Sequence, residues 1–268
     1  MESLPSGIQY RHWPVDDAKA CVLLAHGLAE HTGRYEHVAA RLNERGVAVV
    51  GPDHIGHGAS PGVRVYLKAF SEYLEPMQTL RAHIDDWYPG RPVFLMGHSM
   101  GGLISAHLLL ISQAAFQGAM LSGPAFHAVD PAPVPLMLIG RLLRYVLPKL
   151  GMVSLDANGV SRDPAVVADY LADPLVYNGK ITTGLGIEML DAMEVAIARA
   201  GEITLPIYIA HGDADVMARP EGSQDFFDAL GAQDKTLDFW PDLYHEILNE
   251  PESDEVITRY INWLESHL

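Results

Sequence analysis

The segment Gly97-His98-Ser99-Met100-Gly101 has the residue types and spacing for acyl transfer. It follows the apolar run Val93-Phe94-Leu95-Met96 and precedes a helix-like run from Gly102 to Ser112. A serine at that junction sits on a sharp strand-to-helix turn, with its hydroxyl exposed and a helix N-terminus beneath it. Glycines two places before and after the serine let backbones approach where a side chain would clash. Ser99 is therefore the expected nucleophile. A hydroxyl is a poor nucleophile, so it needs a base, and the base needs an acid to hold its tautomer.

On a strand–turn–helix scaffold of this kind the chain order is serine, acid, histidine. Each partner must lie in a loop at the C-terminal end of a strand. The strand-like Pro206–His211 runs into Gly212-Asp213-Ala214-Asp215, where two aspartates compete. Asp215 is favoured, because a residue deeper in the loop can turn toward the serine; Asp213 is expected to serve the turn. The next strand, Thr236–Trp240, leads into Pro241-Asp242-Leu243-Tyr244-His245-Glu246. His245 is the only histidine of that loop, which selects it as base from the chain's 13 histidines.

Acyl transfer also needs donors for the developing oxyanion. The backbone N–H of Met100, next to the nucleophile, is one expected donor. The loop His26-Gly27-Leu28-Ala29-Glu30-His31 follows an early strand, Ala20–Ala25, and the N–H of Leu28 is the second. A further histidine-rich segment, Asp53-His54-Ile55-Gly56-His57-Gly58, lies near His26 and His31 in such a layout and admits a reading as metal ligands. Its two glycines favour a tight loop, and no H-E-x-x-H or Cys-His zinc spacing is present. Neither a metal nor a cofactor is expected.

The elements that must position these residues alternate. Ile8–Trp13, Ala20–His26, Val47–Gly51, Val93–Met96, Gly118–Leu121, Pro206–His211 and Thr236–Trp240 read as strands. Glu36–Arg45, stopped by Gly46, then Phe70–Trp87, the run after Ser99, Gly222–Leu230 and Ser253–Leu268 read as helices. Short, nearly continuous apolar strands suit a parallel sheet covered on both faces, so an α/β fold with a mostly parallel sheet and right-handed crossovers is expected. The alternation breaks between Pro124 and Gly201, which opens with Pro124, Pro131, Pro133 and Pro135. Leu136–Leu147 is strongly apolar with Arg141 and Arg144 on one helical face, and Pro164–Leu171 and Thr183–Ala200 are also helical. Residues 125–200 are expected to form a helical cap inserted in a core of 1–124 and 201–268. The apolar cap helix is expected either to pack internally or to admit or dock lipid.

The 268 residues suit one large domain, with or without an insertion. A net charge of −16, from 34 acids against 18 Lys and Arg, repels nucleic acid and suits a neutral substrate. The single cysteine, Cys21, lies in an apolar strand and reads as structural. The first residues have neither the basic nor the apolar region of a secretory signal, and no apolar run reaches a span of about 18 residues. A cytoplasmic protein is expected.

Taken together, His26–His31, Arg34-Tyr35, Asp53–Gly58 and Gly97–Gly102 resemble the monoacylglycerol lipases and the bacterial lysophospholipase-like proteins of the same α/β-hydrolase group. The resemblance runs from about residue 10 to the C-terminus and includes Ser161-Arg162-Asp163 through Asp173-Pro174-Leu175. It implies an α/β-hydrolase fold and a triad of Ser99, His245 and Asp215, with Leu28 and Met100 as oxyanion donors. It further implies that Glu30 and Arg34 shape the pocket end that receives the alcohol; read locally, the two form an i,i+4 ion pair. Mammalian members carry a histidine three residues after the catalytic one, where this chain has Leu248. The implied activity is hydrolysis of monoacylglycerols. Lysophospholipase, short-chain carboxylesterase and a non-catalytic ligand-binding fold are the alternatives. A small-molecule lipid ester is the implied partner.

Overall fold

The structure is a computed structural model that describes residues 1–128 and 134–268, the side chains of 134–137 excepted. Its strands are β1 (Glu2–Ser3), β2 (Gln9–Trp13), β3 (Ala20–Ala25), β4 (Val47–Pro52), β5 (Val93–His98), β6 (Gly118–Ser122), β7 (Gly151–Ser154), β8 (Lys180–Thr182), β9 (Ile207–Gly212) and β10 (Lys235–Trp240). Its α-helices are α1 (Glu36–Asn43), α2 (Leu74–Trp87), α3 (Met100–Ser112), α4 (Val134–Val146), α5 (Pro164–Ala172), α6 (Thr183–Arg199), α7 (Pro220–Ala229) and α8 (Ser253–Glu265).

Eight strands form one sheet in the order β1-β2-β4-β3-β5-β6-β9-β10. The six strands from β4 to β10 run parallel, and only β1 and β2 are antiparallel to their neighbours. The apolar strands explain why: β3, β4, β5, β6 and β9 are buried on both faces, and β10 is the half-buried edge. Along β3, Ala20, Val22 and Leu24 join one hydrophobic cluster, while Cys21, Leu23 and Ala25 join the other. That alternation is the period of two of an extended chain. Buried residues of α1 and α8 complete the first cluster; those of α2, α3, α6 and α7 complete the second. Helix α1 stops as expected, where Gly46 takes φ +74° and returns its N–H to Asn43.

Between β6 and β9 the chain forms α4, β7, α5, β8 and α6. Arg141 and Arg144 face α6, where both meet Asp191, at 3.0 Å and 2.7 Å. The antiparallel β7–β8 pair is a departure from the all-helical expectation. Runs of four and three residues are too short to show a periodicity, and their pairing is long-range. Of the proline cluster, Pro131 and Pro133 lie outside the described residues. No helix among the described residues is long and apolar enough to cross a membrane.

Candidate active site

Strands β3, β5, β9 and β10 end at one edge of the sheet, and their loops carry the chemistry-bearing residues. The register is set by Ala25 opposite Gly97 and Gly212 opposite Trp240, which levels the four loops. At the end of β5 the chain turns through Ser99, whose φ of +53° is a rare conformation for a side-chain-bearing residue. The turn is held by Ser99 N–H to Ser122 O and by Gly102, Leu103 and Ala125 N–H groups on Ser99 O. It also requires its glycines. A Cβ at Gly101 would lie 2.0 Å from Ala25 O, and one at Gly97 would lie 2.4 Å from Gly101 O. Both contacts are with backbone, so neither can give.

His245 Nε2 stands 2.8 Å from Ser99 Oγ, and its Nδ1 stands 2.6 Å from Asp215 Oδ2. Asp215 is fixed on its other oxygen by the N–H groups of Met217 at 2.7 Å and Ala218 at 3.0 Å. A carboxylate only accepts, so His245 Nδ1 carries the proton and Nε2 is free to accept from Ser99. Burial works against a charged His245, but the Asp215 carboxylate and its hydrogen bond outweigh it and hold the imidazole above its ordinary value. Burial likewise opposes the Asp215 charge, yet His245 and the hydrogen bonds it receives keep it far below the usual carboxylate range. Asp213 is exposed and takes a different role: its Oδ1 accepts from Asp242 N–H at 2.6 Å, tying the β9 and β10 loops.

The loop after β3 places Leu28 on the wall of the cavity that holds Ser99. Its geometry is pinned on both sides. Gly27 N–H donates to Glu30 Oε1 at 2.6 Å, and Ala29, at φ +68°, accepts from Tyr177 N–H at 2.8 Å. Met100 is the first residue of α3, so its N–H is one of those a helix leaves free. His26 and Asp53 brace this loop. His26 Nε2 accepts from His54 N–H at 2.9 Å, and the Asp53 oxygens accept from Thr32 and Ala59. No group of three metal-ligating side chains meets among the described residues.

The cavity is about 520 Å³ and runs from Ser99 and His245 into the segment between β6 and β9. Its wall includes the apolar Met152, Val153, Ile187, Leu190 and Met193, and a polar group of Glu30, Glu246 and Tyr170 gathered around Arg34. Glu30 borders the space. Arg34 stands behind it, bonding Glu30 Oε2 at 2.9 Å and gripping Glu246 with two bonds of 2.5 Å and 2.7 Å. The Tyr170 ring lies 4.7 Å from the Arg34 guanidinium carbon. Leu248 does not reach the cavity; it is buried in the hydrophobic cluster under α1 and α8.

Three residues of the site escape the sequence reading. Glu246 adjoins His245, but nothing local shows that it meets Arg34, 212 positions away. Tyr170 lies in α5, whose partners no periodicity reveals. His211, the penultimate residue of β9, donates from Nε2 to Asp215 Oδ2 at 2.9 Å and so shares the oxygen that His245 uses.

The chain matches the Hydrolase_4 family, described as serine aminopeptidase, S33, over residues 16–252. It is 39% identical to the monoacylglycerol lipase of Mycolicibacterium smegmatis over 262 residues, covering 97% of this chain and 94% of that protein. It is 32% identical to the monoglyceride lipase of Rattus norvegicus, covering 96% and 86%. The crystal structure of Paleococcus ferrophilus monoacylglycerol lipase superposes with a TM-score of 0.89 at 32% identity, covering 97% of this chain and 99% of that one. The chain therefore belongs to the Hydrolase_4 family and has the α/β-hydrolase fold of the monoacylglycerol lipase-like group.

Proposed function

We propose that this protein is a serine carboxylic ester hydrolase that cleaves monoacylglycerols to glycerol and a free fatty acid. The observation that carries the reading is one cavity whose wall holds Ser99 and His245, apolar side chains, and a polar group around Arg34. The apolar side chains suit one acyl chain and the polar group suits a small polyol.

Ser99 Oγ attacks the ester carbonyl carbon while its proton passes to His245 Nε2. Asp215 orients His245 and stabilises the imidazolium. The N–H groups of Leu28 and Met100 receive the developing oxyanion. The carbon–oxygen bond to glycerol then breaks, and His245 Nε2–H protonates the leaving alkoxide. Water, deprotonated by the same nitrogen, attacks the acyl-enzyme, and Ser99 leaves with the proton returned from His245. Glu30 and Arg34 shape the alcohol end, Arg34 acting from behind through Glu30 and Glu246.

Residues 125–200 act as the cap over this cavity, and 1–124 with 201–268 as its core. Leu138, Leu142, Tyr145, Val146 and Leu147 on and after α4 are exposed, which supports transient docking of the cap on a membrane or micelle. A lone, buried Cys21 suits action in the cytoplasm.

The test is hydrolysis of 1-oleoylglycerol beside the matched di- and triacylglycerols, with Ser99→Ala as control. Turnover of the monoacyl ester that vanishes in the variant is expected. Activity confined to short soluble esters would move the function to a general carboxylesterase.

A further inference from the structure

The polar group on the cavity wall is unusual in its charge. The walls of the large cavity and of the smaller one beside it, about 200 Å³, carry no Lys or Arg among the described residues. They carry the buried Glu30 and Glu246 and the exposed Asp156, and the two cavities share Leu155, Asp156, Tyr170 and Ile181. Arg34 stands directly behind this wall. Its guanidinium is consumed by two carboxylates at 2.5–2.9 Å and one face is covered by Tyr170. One positive charge against two negative ones leaves this group anionic. Asp215 places a further carboxylate behind the nucleophile, bonded to His245. Glu30 and Glu246 are buried, so salt screens them poorly. Both oxygens of Glu30 accept hydrogen bonds, from Gly27, Tyr35 and Arg34, which is the bonding of an ionised carboxylate. Glu246 resists burial through Arg34, which keeps it below its ordinary range.

We propose that Glu30, Glu246 and Asp156 make the alcohol end of the cavity a charge filter, which accepts esters of uncharged polyols and rejects esters whose alcohol carries a phosphate. The inference rests on the reading of this site as an ester hydrolase. A phosphate placed there would meet carboxylates with no free guanidinium or ammonium to answer it, a juxtaposition that specific sites use to exclude wrong ligands. The hydroxyls of glycerol, by contrast, can donate to carboxylate oxygens. The same field favours departure of the fatty acid product, which is itself an anion.

Three soluble butyrate esters separate charge from size and from aggregation: 1-butyrylglycerol, the bulkier uncharged diglycerol monobutyrate, and 1-butyrylglycerol 3-phosphate. The expected kcat/KM for the phosphate ester is at least about 100-fold below that of the diglycerol ester, as for like charges meeting across a buried contact. Glu246→Gln should narrow that ratio about tenfold. Asp156→Asn, outside the ion-pair network, should narrow it in the same direction and carries the comparison where Glu246→Gln does not fold. A wild-type ratio within about threefold, rejection of the diglycerol ester along with the phosphate ester, or a ratio unmoved in both variants would overturn the charge filter. Hydrolysis of none of the three esters would instead overturn the reading of the site as an ester hydrolase, and the filter with it.

Discussion

Asp215→Asn tests how the geometry makes His245 a base. Asp215 Oδ1 is held by two main-chain donors, Met217 and Ala218 N–H, which cannot change character. The carbonyl oxygen of an asparagine must therefore go to them, and its NH₂ must take the place of Oδ2. There it faces His245 Nδ1, now at 2.6 Å from a carboxylate oxygen. A donor at that point forces the imidazole to carry its proton on Nε2, which then points at Ser99 Oγ and cannot accept. The same tautomer error in a serine protease costs about 10⁴ in kcat, or about 5.4 kcal/mol of barrier. A second effect has a definite sign. His245 is held above its ordinary value by Asp215 against the opposing pull of burial. Without the carboxylate, burial dominates, so the acid limb of kcat/KM moves to lower pH even as the plateau falls. A pH–rate profile of the variant on a soluble ester reads both. A loss below tenfold, or an acid limb displaced to higher pH, would refute the reasoning.

Ser99→Ala should reduce kcat by about 10⁶ while leaving the melting temperature near that of the parent; a large drop in melting temperature would mean that Ser99 also holds the turn. Gly101→Ala places a Cβ 2.0 Å from Ala25 O, so a loss above about 3 kcal/mol is expected, and a parental thermal melt would contradict the packing argument. Asp173 Oδ2 accepts from His31 Nε2 at 2.9 Å and so ties the end of α5 to the loop after β3; Asp173→Ala should lower kcat roughly tenfold to hundredfold with little change in KM, as for a misplaced donor. Burial lowers His26 and His98 to about 4 and His57 to about 3. The unfolded chain therefore binds more protons in acid, and each such histidine costs up to about 1.4 kcal/mol per pH unit below about 6.5. Melting temperatures measured from pH 7 to 4 should fall steadily from near 6.5; a flat profile would show that these rings are solvated.

That Ser99, His245 and Asp215 would meet was legible in the sequence, because each follows the end of a strand. Strand ends are local events: Val93–Met96 is apolar and Gly97 is not, and the loops that follow are short enough to hold few candidates. The expectation for Asp215 rested on its depth in the loop; the fold puts its Oδ2 against His245 Nδ1 and puts Asp213 on Asp242 N–H. Helix positions followed from periodicity, within a residue or two for α1 and α6. Local signals ended where partners are distant. The β7–β8 pair joins residues about 30 positions apart with too few side chains to show a pattern. The Arg34–Glu246 clamp, the sharing of Asp215 Oδ2 by His211, and a cavity wall with Glu30 and Glu246 but no Lys or Arg among the described residues arise only when the loops after β3, β9 and β10 meet the segment between β6 and β9. The sequence by itself determined which reactive side chains stand just past the strand ends, since that depends on residue type and on the nearest strand. Tertiary structure alone decided which charges line the cavity, since that depends on which side chains neutralise one another across the fold.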